Sequence, residues 1–192
     1  VTTSFTNVDT TSTAAIEITK RPVTIVVAND SKTIGDADPV FKDATLTNAI
    51  GNELAKIDLS VSRKNKNEEK EGVYQDVLVT KDSAADLEST YANYSFTVTP
   101  GDFEIKSSAA QIVVTVTGFS VTYDGTEHVA TSKTNGLPNG YTADVVLDHD
   151  KLTKVGTDTA VIKDVKIYNA AKDDVTTSFT NVDTTSTAAI EI

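Results

Sequence analysis

The chain has 192 residues, with 17 Lys and Arg against 28 Asp and Glu and a formal net charge of −11. That balance argues against nucleic acid, which needs clustered positive charge to meet phosphates, and against an anionic membrane surface. Cys, Met and Trp are absent, so disulfides, thiolate metal sites and a cysteine nucleophile are excluded, and no stretch approaches the roughly 18 apolar residues of a membrane span.

From the N-terminus, Val1-Thr2-Thr3-Ser4 lacks the basic and apolar regions of a signal peptide, so the chain reads as an excerpt of something longer. Val23, Ile25 and Val27 recur at period two and predict a strand, with Pro22 placed where only a strand start tolerates it. Asn29-Asp30 and Gly35-Asp36 read as turns. Ala49 to Ile57 predicts two helical turns with Ile50, Leu54 and Ile57 on one face, and Asp82 to Glu88 predicts one turn capped by Asp82 or Ser83. Between them, Arg63-Lys64-Asn65-Lys66-Asn67-Glu68-Glu69-Lys70 is the densest charged run and reads as a solvated hairpin or loop. Gly72-Val73-Tyr74 opens a strand through Val79. Tyr94, Phe96 and Val98 then alternate with Ser95, Thr97 and Thr99 as a half-buried strand does. Further on, Ile112 to Val116, Val145 to Leu147, and Val165 with Ile167 read as strands. Asp124-Gly125, Asn135-Gly136 and Asn139-Gly140 supply the positive φ of the turns between them.

The sequence also repeats itself. Residues Val1 to Ile18 and Val175 to Ile192 both read VTTSFTNVDTTSTAAIEI, a perfect match of 18 residues, and Val175 stands 174 positions after Val1. A perfect match of this length implies near-identical units in series, each contacting mainly its neighbours. A weaker internal repeat links Tyr94-Ser95-Phe96-Thr97 and Phe103-Glu104-Ile105 to Thr177-Ser178-Phe179-Thr180 and Ile190-Glu191-Ile192. The expected organisation is therefore 1–18 as the last segment of a preceding repeat, a first β domain at 19–106 and a second at 107–192. Segments 1–18 and 175–192 can occupy the same slot, so strand exchange between molecules is chemically permitted.

Arg21-Pro22-Val23-Thr24-Ile25, followed by Lys32-Thr33-Ile34-Gly35-Asp36-Ala37-Asp38-Pro39, resembles the opening of MBG-type domains, tandem repeats of bacterial mucus-binding and related surface adhesins. Asn93-Tyr94-Ser95-Phe96 and Gly101-Asp102-Phe103-Glu104-Ile105 resemble the family's ending, and Val121-Thr122-Tyr123-Asp124-Gly125-Thr126 its Tyr-Asp-Gly variant. The chain departs from the family at Ile34, where a tyrosine is usual. The resemblance implies small tandem β domains arranged end to end, either β-grasp-like or immunoglobulin-like sandwiches. It also implies an extracellular place on a cell-wall-anchored protein of a Gram-positive bacterium. The implied partners are neighbouring identical repeats and, as an alternative role, mucin, glycan or host matrix protein bound weakly by each repeat.

The residues offer no chemistry beyond this. His128 and His149 lie in polar surroundings without a nucleophile motif. Asp148-His149-Asp150 would point to alternating faces of a strand, and Gly35-Asp36-Ala37-Asp38 lacks the full calcium-loop pattern. No catalytic, cofactor-binding or metal residue is expected, and no enzyme activity. Lys, Asn and acidic residues suited to an intramolecular isopeptide bond are present, but the sequence does not pair them. Tyr91, Tyr123 and Tyr141 are the tyrosines that could stack on sugars.

Overall fold

The computed structural model describes residues 14–192. Strands hold 46% of the residues and helices 6%, so the chain is mainly β. The expectation for 1–18 falls mostly on residues outside those described; the remaining Ala14 to Ile18 form no strand or helix.

The first half runs β1 (Arg21–Val26), β2 (Asp30–Thr33), β3 (Thr45–Thr47), β4 (Val61–Arg63), β5 (Gly72–Thr80), α1 (Ala84–Thr90), β6 (Tyr94–Thr99) and β7 (Gly101–Lys106). It makes a three-stranded sheet of order β3-β1-β6 and a four-stranded sheet of order β2-β7-β5-β4. β1 runs parallel to β6, with Val23 opposite Phe96 and Ile25 opposite Val98. Facing residues on neighbouring strands share a side of the sheet, so the two period-two patterns combine into one apolar face. Phe103 and Ile105 of β7 and Leu78 of β5 are fully buried in the same cluster. Each such side chain contributes about 1.5–3 kcal/mol by leaving water.

The second half runs β8 (Ile112–Thr117), β9 (Phe119–Ser120), β10 (His128–Val129), β11 (Thr131–Asn135), β12 (Thr142–Asp148), β13 (Lys151–Leu152), β14 (Thr157–Tyr168), a 3₁₀ turn at Thr176–Ser178, β15 (Val182–Asp183) and β16 (Thr187–Glu191). Its sheets have the orders β11-β8-β15 and β12-β14-β16-β9, with β10 and β13 as a separate pair. Apart from the β10–β13 pair, the sheets of the two halves correspond in topology. In each, the first strand is flanked by one antiparallel and one parallel neighbour, and the second strand lies parallel to the last. In each, the last strand also pairs antiparallel with the longest one, β5 or β14. Each half thus has one three-stranded and one four-stranded sheet.

Among the described residues, helix is confined to α1 and the 3₁₀ turn. Ser83 caps α1 through a capping box, its hydroxyl accepting from the Asp86 N–H while the Asp86 carboxylate accepts from the Ser83 N–H. The two helical turns expected at Ala49 to Ile57 are not formed. That segment is a chain of tight turns, with Glu53 N–H donating to Ile50 O, Ala55 N–H to Asn52 O and Ile57 N–H to Leu54 O. Leu54 is buried in the core and Ala49 and Ile57 pack partly against it, while Ile50 stays half exposed. One fully buried side chain in nine residues does not offset the entropy of a continuous helix.

One apolar cluster runs from Val23, Ile25 and Phe103 through Ile34 to Ile112, Ile167 and Phe179. The far end of the second half has its own smaller cluster, around Val116, Ala160 and Ile190.

Candidate functional site

The charged run at 63–70 forms the hairpin loop between β4 and β5, as expected, with Lys64, Lys66, Asn67 and Lys70 exposed; its first residue departs from that reading. Arg63 is 1% exposed, the largest fully buried side chain among the described residues. The register explains why. Arg63 stands opposite Leu78 on β5, and Lys32 stands opposite Ile105 on β7, so both cations project from the face that carries the core.

They meet two carboxylates there. Arg63 Nε donates to Asp38 Oδ2 at 2.9 Å, and its Nη2 donates to Glu69 Oε1 at 3.0 Å. Lys32 Nζ donates to Glu69 Oε2 at 2.5 Å and lies 3.0 Å from Asp38 Oδ1, an ion pair without an aligned hydrogen bond. Arg63 also donates to the carbonyls of Glu68 and Lys66, and its guanidinium lies 4.8 Å from the centre of the Phe103 ring. Two cations and two anions therefore compensate one another. The cation side chains are 1–4% exposed and the carboxylates 28–32%, so the negative ends keep some water. Desolvating the cations is costly, and the cluster contributes specificity, by fixing the 35–39 turn and the 64–71 loop against one sheet, more than net stability.

Lys32 and Asp38 both belong to the Lys-to-Pro motif quoted above. Between them Gly35 turns the chain at φ +89, where a side chain would be strained. A Cβ there would also lie 2.5 Å from Pro138 Cγ, so the turn presses directly on the loop before β12. Lys70 Nζ reaches Asp173 at 2.9 Å across the same junction, raising the Lys70 pKa and lowering that of Asp173. Tyr141 completes it. Its ring packs edge-on against Phe179 at 5.9 Å, and burial, with the charge of Glu69 second, raises its pKa. A cleft of about 630 Å³ opens here between the halves, with Asp36, Asn67, Asn139 and Tyr141 on its walls.

The other groups singled out by sequence do not converge. His128 pairs with Asp124 at 3.1 Å, and His149 with Asp158 at 3.2 Å. The Asp124 carboxyl is held down at about 2 by the Thr126 N–H and hydroxyl, then by His128. Among the described residues no three His, Asp or Glu side chains gather to hold an ion. Of the three tyrosines, Tyr91 packs against Phe96 and Tyr141 against Phe179, while Tyr123 is 57% exposed. The sequence did carry a signal for the cluster. In Lys32-Thr33-Ile34 and Val61-Ser62-Arg63 the cation shares its period-two face with an apolar residue. No protein-family model, curated protein or solved structure matches the chain.

Proposed function

We propose that the chain is a spacer unit of a long, repetitive cell-surface adhesin, extracellular and held at a bacterial cell wall, that projects a distal binding region. The observation that carries this reading is the perfect 18-residue match at a spacing of 174. The segment at 175–192 supplies β15 and β16, and Val175, Phe179, Ile190 and Ile192 are buried in it. A unit ending at residue 192 would continue into the sequence that follows residue 18. Only Ile192 and the counterparts of Thr19 and Lys20 would then separate β16 from the next β1, which begins at Arg21. Links that short leave little freedom between units, as a stiff rod requires. The Lys32–Asp38–Arg63–Glu69 cluster and the packed junction stiffen the unit from within.

The test is small-angle scattering on two linked periods. A rod is expected, each β domain adding roughly 35–45 Å at about 3.3 Å per strand residue. A compact profile would count against the proposal.

A second reading has one observation in its favour, the junction cleft with its amide, carboxylate and phenol groups. In that reading each unit binds mucin, glycan or matrix protein weakly, and repetition raises avidity. Binding of a single unit to mucin or a glycan array favours it; silence from several linked units defeats it.

A further inference from the structure

The same five residues occur twice in the described chain, in opposite environments. Ala188-Ala189-Ile190-Glu191-Ile192 closes the second half, where Ile190 is 0% and Ile192 9% exposed. Ala14-Ala15-Ile16-Glu17-Ile18 has the identical sequence, yet Ile16 is 92% and Ile18 95% exposed and no element forms.

The slot that holds the buried copy has two open hydrogen-bonding walls. β16 pairs antiparallel with β14 over five residues, Thr157 opposite Glu191 through Val161 opposite Thr187. On its other side it pairs parallel with β9, Ile190 opposite Phe119 and Glu191 opposite Ser120. The pairing is locked at its end, where Ile192 and Gly156 exchange both backbone hydrogen bonds at 3.1 Å. The slot is also tight against the backbone of the strand. Gly118 passes so near the strand that a Cβ there would lie 1.9 Å from Ala189 O. Ahead of the strand, Ser186 Oγ accepts from the Val116 N–H, and Ser12 is its counterpart in the first copy.

We infer that residues 1–18 are a donor strand for a second copy of this chain: they enter the β9–β14 slot of that copy when its own residues 175–192 leave it. Every partner that 175–192 finds there is available to 1–18, because the side chains are the same. The exposed Ile16 and Ile18 are the anchors, taking the places of Ile190 and Ile192. The intrinsic stability of the two fillings is equal, so occupancy is decided by effective concentration. In the unaltered chain the attached C-terminal copy wins at low protein concentration. Once that copy is crippled, the N-terminal copy of another molecule takes its place, and the contact is head-to-tail and extends. This inference does not rest on the adhesin reading; it needs only the identity of the two segments and the slot.

The test uses the full chain in three forms. Ile190→Asp puts a carboxylate into a fully buried site and disables the chain's own strand. Its expected state is a soluble assembly of at least twice the monomer mass by light scattering, growing with concentration. Adding Ile16→Asp to it removes the replacement, and the double variant is expected to stay monomeric with a lower melting midpoint. Ile16→Asp alone is expected to match the parent. A synthetic 1–18 peptide should break the Ile190→Asp assembly into one-to-one complexes, and the peptide carrying Ile16→Asp should not. The inference is overturned if Ile190→Asp and the double variant share the same mass, or if an aggregated Ile190→Asp chain is not rescued by the peptide.

Discussion

Replacing Arg63 with Ala is the sharpest probe of how the first half is held together. The change removes two carboxylate contacts at 2.9 and 3.0 Å, two carbonyl contacts and the stacking on Phe103, leaving Lys32 to face Asp38 and Glu69 alone. Breaking a buried ion pair by deleting one member costs about 3–5 kcal/mol, because the stranded charges stay desolvated. Here the stranded carboxylates are 28–32% exposed and water relieves part of the penalty, which places the loss near the lower end, about 3 kcal/mol. For a chain of this length each kcal/mol lowers the melting midpoint by about 2–4 °C, so a drop of about 6–12 °C is expected. Urea unfolding should give the same free energy. A double-mutant cycle with Glu69→Ala should show strong coupling, since the second change removes one of the stranded charges. A loss below about 1 kcal/mol, the value of an exposed pair, would refute the reasoning, because the cluster would then be wet surface rather than part of the core.

Gly35→Ala should destabilise more than Gly125→Ala. Both glycines have φ in the left-handed region, but only Gly35 has a neighbour, Pro138, where the new methyl would go; equal losses in thermal melts would remove the junction contact from the account. Ser83→Ala should cost about 1 kcal/mol by opening the cap of α1, and an unchanged midpoint would mean that α1 adds nothing to the fold. The Asp124 carboxyl should titrate at about 2 by NMR. Its folded pKa is depressed, so its contribution to stability is present above the ordinary carboxylate range and is lost as pH falls from about 4 towards 2. Thr126→Val should move that titration upward, and no movement would assign the shift to another cause. Intact mass should equal that of the plain sequence, because Lys32 faces carboxylates that Arg63 already engages; a mass lower by one water would reveal a Lys–Asp or Lys–Glu amide instead.

Strand positions were legible wherever one face is apolar. The alternations at Val23 to Val27 and at Tyr94 to Val98 and the run from Ile112 to Val116 all became strands with the expected faces inward. The cap at Ser83 was legible too, because it depends only on residues three apart. The failures share a cause. At Ala49 to Ile57 the helical spacing was present, but only Leu54 of the expected apolar face is fully buried and Ile50 points to solvent. At 63–70 the count of charges concealed that the first of them sits in β4, opposite Leu78. Both outcomes depend on which distant strand lies alongside, and local spacing does not contain that. The junction was illegible for the same reason, since nothing near Gly35 announces Pro138, a hundred residues away in sequence.

The placement of β16 also bears on how the molecule would carry tension. Force applied along the chain enters the second half through Ile192, at the tip of a strand gripped by β14 on one side and β9 on the other. Pulling there loads those backbone bonds sideways and together, as in a lap joint, rather than peeling them one at a time. A short strand gripped on both flanks would then yield at a higher load than a hairpin edge of equal length.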